Sequence, residues 1–120
     1  EVYVYTDIDC GYCRKFHLEV TRINQVGITV HYLSFPRKGI NSSSHEKAVS
    51  VWCSVDRNAA LTNAKKGKVV KSKTCENPVS EHFELGVSMG VLGTPAIYSS
   101  EGLELGGYLS ADELKKEILN

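Results

Sequence analysis

The sequence predicts a single α/β domain: a parallel β-α-β unit, a helical insertion of about 50 residues, then a short hairpin and a last helix. Three observations predict it. Two β-branched and aromatic runs, at 2–5 and 28–35, bracket a stretch whose apolar residues recur at helical spacing. Residues 45–89 carry no β pattern, and after them Ala96-Ile97-Tyr98, a turn at Gly102 and Leu103 to Leu105 read as two short strands. At 120 residues, 42% hydrophobic and 23% charged, the chain suits one core and excludes disordered and collagen-like classes.

Taken in order, Val2-Tyr3-Val4-Tyr5 is a strand running into the polar loop Thr6 to Asp9. That loop delivers Cys10 to a helix start, with Phe16, Val20 and Ile23 on one face and Gly27 as the stop. Residues 28–35 form a second strand closed by Pro36, and a β-α-β unit of this length predicts a right-handed crossover. The capping-prone Asn41-Ser42-Ser43-Ser44 introduces a helix from His45 to about Asp56, and another follows from about Asn58 to Lys66. Lys65 to Lys73 reads as an exposed basic connection. Asn77-Pro78 then caps a helix through Met89, and Ser110-x-x-Glu113 is a capping box opening the last helix. Repeats, low-complexity tracts and linkers are absent, so residues 1–120 read as one domain.

Fourteen Lys and Arg balance fourteen Asp and Glu, so no net field draws the chain to nucleic acid or an anionic membrane. The longest apolar runs fall far short of the roughly 20 residues that cross a bilayer. The chain opens at Glu1, so compartment must be inferred from cysteine usage. Cys10 and Cys13 form a close C-x-x-C, whereas Cys53 and Cys75 lie far apart in sequence. The distant pair reads either as a structural staple, worth roughly 3 kcal/mol in a chain-entropy treatment and suited to an oxidising compartment, or as two buried free thiols.

A thiol attacks only as a thiolate, and a helix N-terminus stabilises that anion. Cys10 stands where that field is strongest, and Cys13, on the same side of the first turn, can attack a mixed disulfide formed at Cys10. Arg14 and Lys15 favour an anion there, while Asp7 and Asp9 oppose it, so the net effect on the sulfur is open. This chemistry requires Cys10 to be unusually acidic and reachable from solvent. The competing reading makes the C-x-x-C half of a zinc site with His17 as a third ligand, but a second close pair is missing. His31, His45 and His82 read as surface or half-buried polar residues, and Trp52 and the tyrosines as core or rim. In Gly93-Thr94-Pro95 a proline enters a strand, and in a tight turn it can take the cis form. Asn41-Ser42-Ser43 matches an N-glycosylation acceptor, a pattern short enough to arise by chance.

Tyr5-Thr6-Asp7-Ile8-Asp9-Cys10-Gly11-Tyr12-Cys13 and Gly93-Thr94-Pro95 resemble the catalytic domain of the DsbC family of periplasmic disulfide isomerases. The resemblance continues through residues 27–37, Trp52-Cys53 and Leu85-Gly86-Val87, in order and over almost the whole chain. It implies a thioredoxin fold with a helical insertion between the second strand and the cis-proline loop. It further implies Cys10 as attacking thiol, Cys13 as resolving thiol, a cis Pro95 after Thr94, and a structural Cys53 to Cys75 disulfide. Gly11, Tyr12, Thr94 and Pro95 would then meet the substrate, the loop lending its backbone to an extended client strand. Thioredoxin-like reductants typically carry Gly-Pro between the cysteines and a carboxylate where this chain has Val4, and oxidants resembling DsbA carry Pro-His; this chain has Gly11-Tyr12.

The expected activity is thiol-disulfide exchange on misfolded or oxidised exported proteins in the periplasm. A membrane-embedded thiol reductase is the expected electron donor, and no cofactor, metal or nucleic acid is expected. The family's N-terminal dimerisation domain is expected to be absent, whether through excision or in a natural short form. The full-length form is then expected to be a homodimer and this chain a monomer with reduced client binding. Two alternatives stand beside this: a monomeric dithiol oxidase, and a metal-binding or interaction module that uses the cysteines as ligands.

Overall fold

A computed structural model describes residues 1–119. Four strands, β1 (Val2–Thr6), β2 (Val30–Ser34), β3 (Ala96–Ser99) and β4 (Glu104–Gly106), form one sheet in the order β2-β1-β3-β4. β1 runs parallel to β2 with Val4 opposite Tyr32, antiparallel to β3 with Val4 opposite Ile97, and β3 pairs antiparallel with β4 across a register shift. Five helices complete the fold: α1 (Gly11–Gln25), α2 (Ser43–Trp52), α3 (Arg57–Lys65), α4 (Val79–Ser88) and α5 (Ala111–Leu119).

Alternation along the strands divides the core in two, because successive side chains leave opposite faces of the sheet. Val2, Val4 and Ile97 point to one face and pack with Phe16 and Ile23 of α1 and Ala111 and Leu114 of α5. Tyr5, Ala96 and Tyr98 point to the other, where Phe35 and Val91 join them and Phe83 of α4 covers them. A third cluster, Ile8, Ala48, Val51, Ala64 and Val79, knits the insertion together. Each fully buried Val, Ile or Phe contributes about 1.5–3 kcal/mol, which makes the two sheet faces the main source of stability.

Local signals position most helix ends. Ser42 caps α2 by accepting from the His45 amide at 3.1 Å, and Asp56 caps α3 by accepting from Ala59 at 3.1 Å. The Ser110–Glu113 box is reciprocal, at 3.2 and 3.0 Å. α2 stops at Trp52, four residues short of the expected end, and Pro78 rather than Asn77 is the cap residue of α4, although Asn77 Oδ1 accepts from the Val79 amide at 3.1 Å. The expected exposed connection from Lys65 also needs correction. Lys65 closes α3 and is only 4% exposed, because its side chain turns inward to donate to Thr6 Oγ1. Cys53, at the C-terminal cap of α2, is joined to Cys75 by a disulfide with Cα atoms 5.7 Å apart.

α4 lies close to the sheet because it has a glycine where it crosses. A Cβ on Gly86 would come within 2.6 Å of Phe35 Cδ1 and 3.1 Å of Tyr5 Cε1, so any side chain there would force the helix outward.

Candidate active site

The turn after β1 brings Cys10 to the N-cap of α1, where its sulfur accepts the Cys13 amide at 3.4 Å. The sulfur is thus itself the capping group, at the positive end of a 15-residue helix. From the opposite side the loop before β3 closes in, and Cys10 Sγ donates to the Thr94 carbonyl at 3.3 Å. The Thr94–Pro95 peptide bond is cis. Cys10 and Cys13 are both unbonded.

Burial pushes the Cys10 thiol up, but hydrogen bonds from Thr94 and Cys13 and the charge of Arg37 outweigh it and leave the sulfur more acidic than an ordinary thiol. Burial dominates for Cys13, whose thiol is raised despite help from the Asp7 amide, Thr94 and Lys65. The two sulfurs are therefore driven apart: the first ionises readily, and the second holds its proton.

The charges that set this balance are not the ones nearest in sequence. Arg14 is directed to Asp9 at 3.7 Å and to the Ile8 carbonyl at 3.1 Å. Lys15 lies over the Tyr108 ring at 4.7 Å. The opposing carboxylates are both engaged. Arg37 donates to Asp7 through its amide at 3.0 Å and its side chain at 2.9 Å, while Asp9 accepts from Ser44 at 2.5 Å and Lys47 at 2.9 Å. Burial would raise Asp9, but the Ser44 and Lys47 contacts hold it below the usual carboxylate range. Arg37 thus serves Asp7 and Cys10 together, a role that sequence spacing does not reveal.

Accessibility departs from expectation. Cys10 is only 3% exposed and Cys13 fully buried, so the Cys10 sulfur is recessed beneath the loop rather than open to solvent. The residues beside it are less covered: Gly11 and Gly93 are exposed and Tyr12 is 62% exposed, while Thr94 is half-buried and Pro95 buried. His17 does not approach the sulfurs as a ligand would. Its ring nitrogens are taken by Tyr32 Oη and Thr62 Oγ1, both at 2.9 Å, and burial with the charges of Lys65 and Lys66 lowers it to about 4. His31, His45 and His82 are half-buried and bond to Glu1, Ser80 and the Ser34 amide.

A strand, a turn, a helix capped by a cysteine sulfur and a facing cis-proline loop are the parts of a known architecture, and residues 2–120 match the model of the thioredoxin-like domain. The chain belongs to that family. This thioredoxin-like domain is 46% identical over 112 residues to the thiol:disulfide interchange protein DsbC of Salmonella typhimurium, covering 93% of this chain and 47% of the relative. It is 42% identical over 113 residues to the Escherichia coli K12 protein of the same name, covering 94% and 48%. Among solved structures it is similar to a disulfide interchange protein from Neisseria gonorrhoeae, with 32% identity, a TM-score of 0.79, and coverage of 96% of this chain and 82% of that one. The chain spans about half the length of the curated relatives it matches.

Proposed function

We propose that this domain catalyses thiol-disulfide exchange, with Cys10 as attacking thiol and Cys13 as resolving thiol. One observation carries the reading: the Cys10 sulfur caps α1 and is acidified there, three residues before a second unbonded sulfur that keeps its proton. The Cys10 thiolate attacks one sulfur of a client disulfide, forming a Cys10–client bond while the other client sulfur leaves as a thiolate and takes up a proton. Cys13 then loses its proton and attacks Cys10 Sγ, forming the Cys10–Cys13 disulfide and releasing the client sulfur. Alternatively a second client thiol attacks the mixed disulfide, and Cys10 returns as thiolate with the client rearranged but not reduced. The first route needs an external dithiol reductant; the second needs none.

The resemblance of the sequence to the DsbC family of periplasmic disulfide isomerases favours exported proteins as clients and the periplasm as the place of work, with a membrane-embedded thiol reductase as the electron donor for the first route. An extended client segment suits the site, because the loop before β3 holds Thr94 and Pro95 beside Cys10 while Gly11 and Tyr12 are exposed next to it. The deciding experiment pairs reduction of insulin with refolding of a scrambled multi-disulfide protein. Activity in both supports an isomerase and reductase. Reduction without refolding would remove isomerisation from the reading, and inactivity in both would remove exchange.

A further inference from the structure

Lys65 is the one lysine buried to 4% among the described residues, and the exchange mechanism above gives it no task. Burying an ammonium costs several kcal/mol unless charged or hydrogen-bonding neighbours compensate, so an unbranched apolar side chain would fill the same space at lower cost. Its Nζ donates to Thr6 Oγ1 at 2.5 Å and lies 5.0 Å from the centre of the Tyr32 ring. Thr6 precedes Asp7, whose amide serves the Cys13 sulfur, and Tyr32 packs on Phe16 and His17, the residues one turn beyond Cys13. Lys65 therefore reaches from the insertion to Thr6 and Tyr32, whose neighbours surround Cys13, and its charge acts on that sulfur.

We propose that Lys65 is a positioning charge for the resolving step: its ammonium favours the anionic form of the buried Cys13 sulfur that must attack the Cys10 mixed disulfide. This rests on the exchange reading and adds to it the residue that readies the second sulfur. The surrounding charges are consistent with that role. Burial lowers Lys65 to about 8, while Cys13, Cys10 and Asp7 act to keep it protonated and Arg14 opposes them. Tyr32 stays neutral on the other side, held up by burial and by Cys13. His17 is kept neutral as well, by burial and by Lys65 and Lys66, so Lys65 supplies the positive charge acting on Cys13 at neutral pH. A cleft of about 510 Å³ between α1 and α3 is lined by His17, Tyr32, Thr62 and Lys65.

The test uses Lys65→Met, which keeps the length and removes the charge, with 5,5′-dithiobis(2-nitrobenzoate) as the disulfide. The first thionitrobenzoate released reports attack by Cys10, and the second reports resolution by Cys13. We expect the second release to slow about tenfold at pH 7 and to recover as pH rises, as removal of a nearby opposite charge predicts, with the first changed far less. Equal second-step rates in a folded Lys65→Met protein would overturn the proposal. In the unsubstituted protein, the Lys65 ¹³Cε titration should move to lower pH when Cys10 and Cys13 are oxidised, since the interaction is reciprocal. An unmoved midpoint would overturn the proposal even where the variant does not fold. Failure of the unsubstituted protein to release either thionitrobenzoate would instead refute the exchange reading.

Discussion

Two cysteines of this chain stand at helix caps, at opposite ends. Cys10 sits at the N-cap of α1 and Cys53 at the C-cap of α2. The helix field favours an anion at the first position and disfavours one at the second, by about 0.3–1 kcal/mol at exposed sites and more where water is excluded. Cys10 is unbonded and acidic, and Cys53 is locked to Cys75. An acidic thiol is a good leaving group, so a disulfide formed through Cys10 is easily opened again, an aid that the position of Cys53 at a helix C-terminus does not give. The lesson is that placement on the backbone, rather than residue type, separates a reagent from a staple.

The largest effect that could break this contrast is Cys10→Ala, which should reduce insulin reduction to the uncatalysed background. Cys13→Ala comes next: the first step survives, turnover stops, and client proteins accumulate as adducts at Cys10, visible as high-mass bands on non-reducing gels. Absence of adducts would put the resolving role elsewhere. Replacing Cys53 and Cys75 together by Ala should cost roughly 3 kcal/mol in denaturant unfolding while leaving exchange intact, as a closed loop of that length predicts. Lost exchange in a folded double variant would mean that the second pair is more than a staple.

The smallest effect sharpens the contrast on the acid side and concerns His17, one turn beyond Cys13 on α1. His17 is lowered to about 4 from an ordinary value near 6.5, so between those limits the unfolded chain binds a proton that the folded one refuses. Stability from His17 is therefore complete above about pH 6.5 and declines as pH falls toward 4. His17→Gln should flatten that part of the stability profile, read as the slope of unfolding free energy against pH.

Much of this site was legible along the chain. β1, the helix beginning at the C-x-x-C and the reciprocal Ser110–Glu113 box follow from local chemistry, and local chemistry acts at the separations a sequence displays. The charge balance was not legible, because it depends on which side chains meet after folding. Arg37 reaches Cys10 and Asp7 only because β2 lies beside β1, and Ser44 and Lys47 quench Asp9 only because α2 packs over the loop. Lys65 shows the same limit, since a lysine opening a basic run reads as exposed until a hydroxyl and an aromatic ring are found waiting inside. The recessed position of Cys10 was hidden for a related reason: the group covering it, the Thr94 carbonyl, is 84 residues away.

The crossing at Gly86 reaches further than its own neighbourhood. Its carbonyl accepts from the Val91 amide at 2.9 Å, and Tyr5 Oη bonds Met89 Sδ at 3.2 Å, so the chain leaving α4 is anchored to the helix and sheet before it arrives over the dithiol. A single added methyl there would push α4 off Phe35 and Tyr5 and carry with it the segment that brings the Thr94 carbonyl over Cys10, so a lone hydrogen atom holds that cover in place.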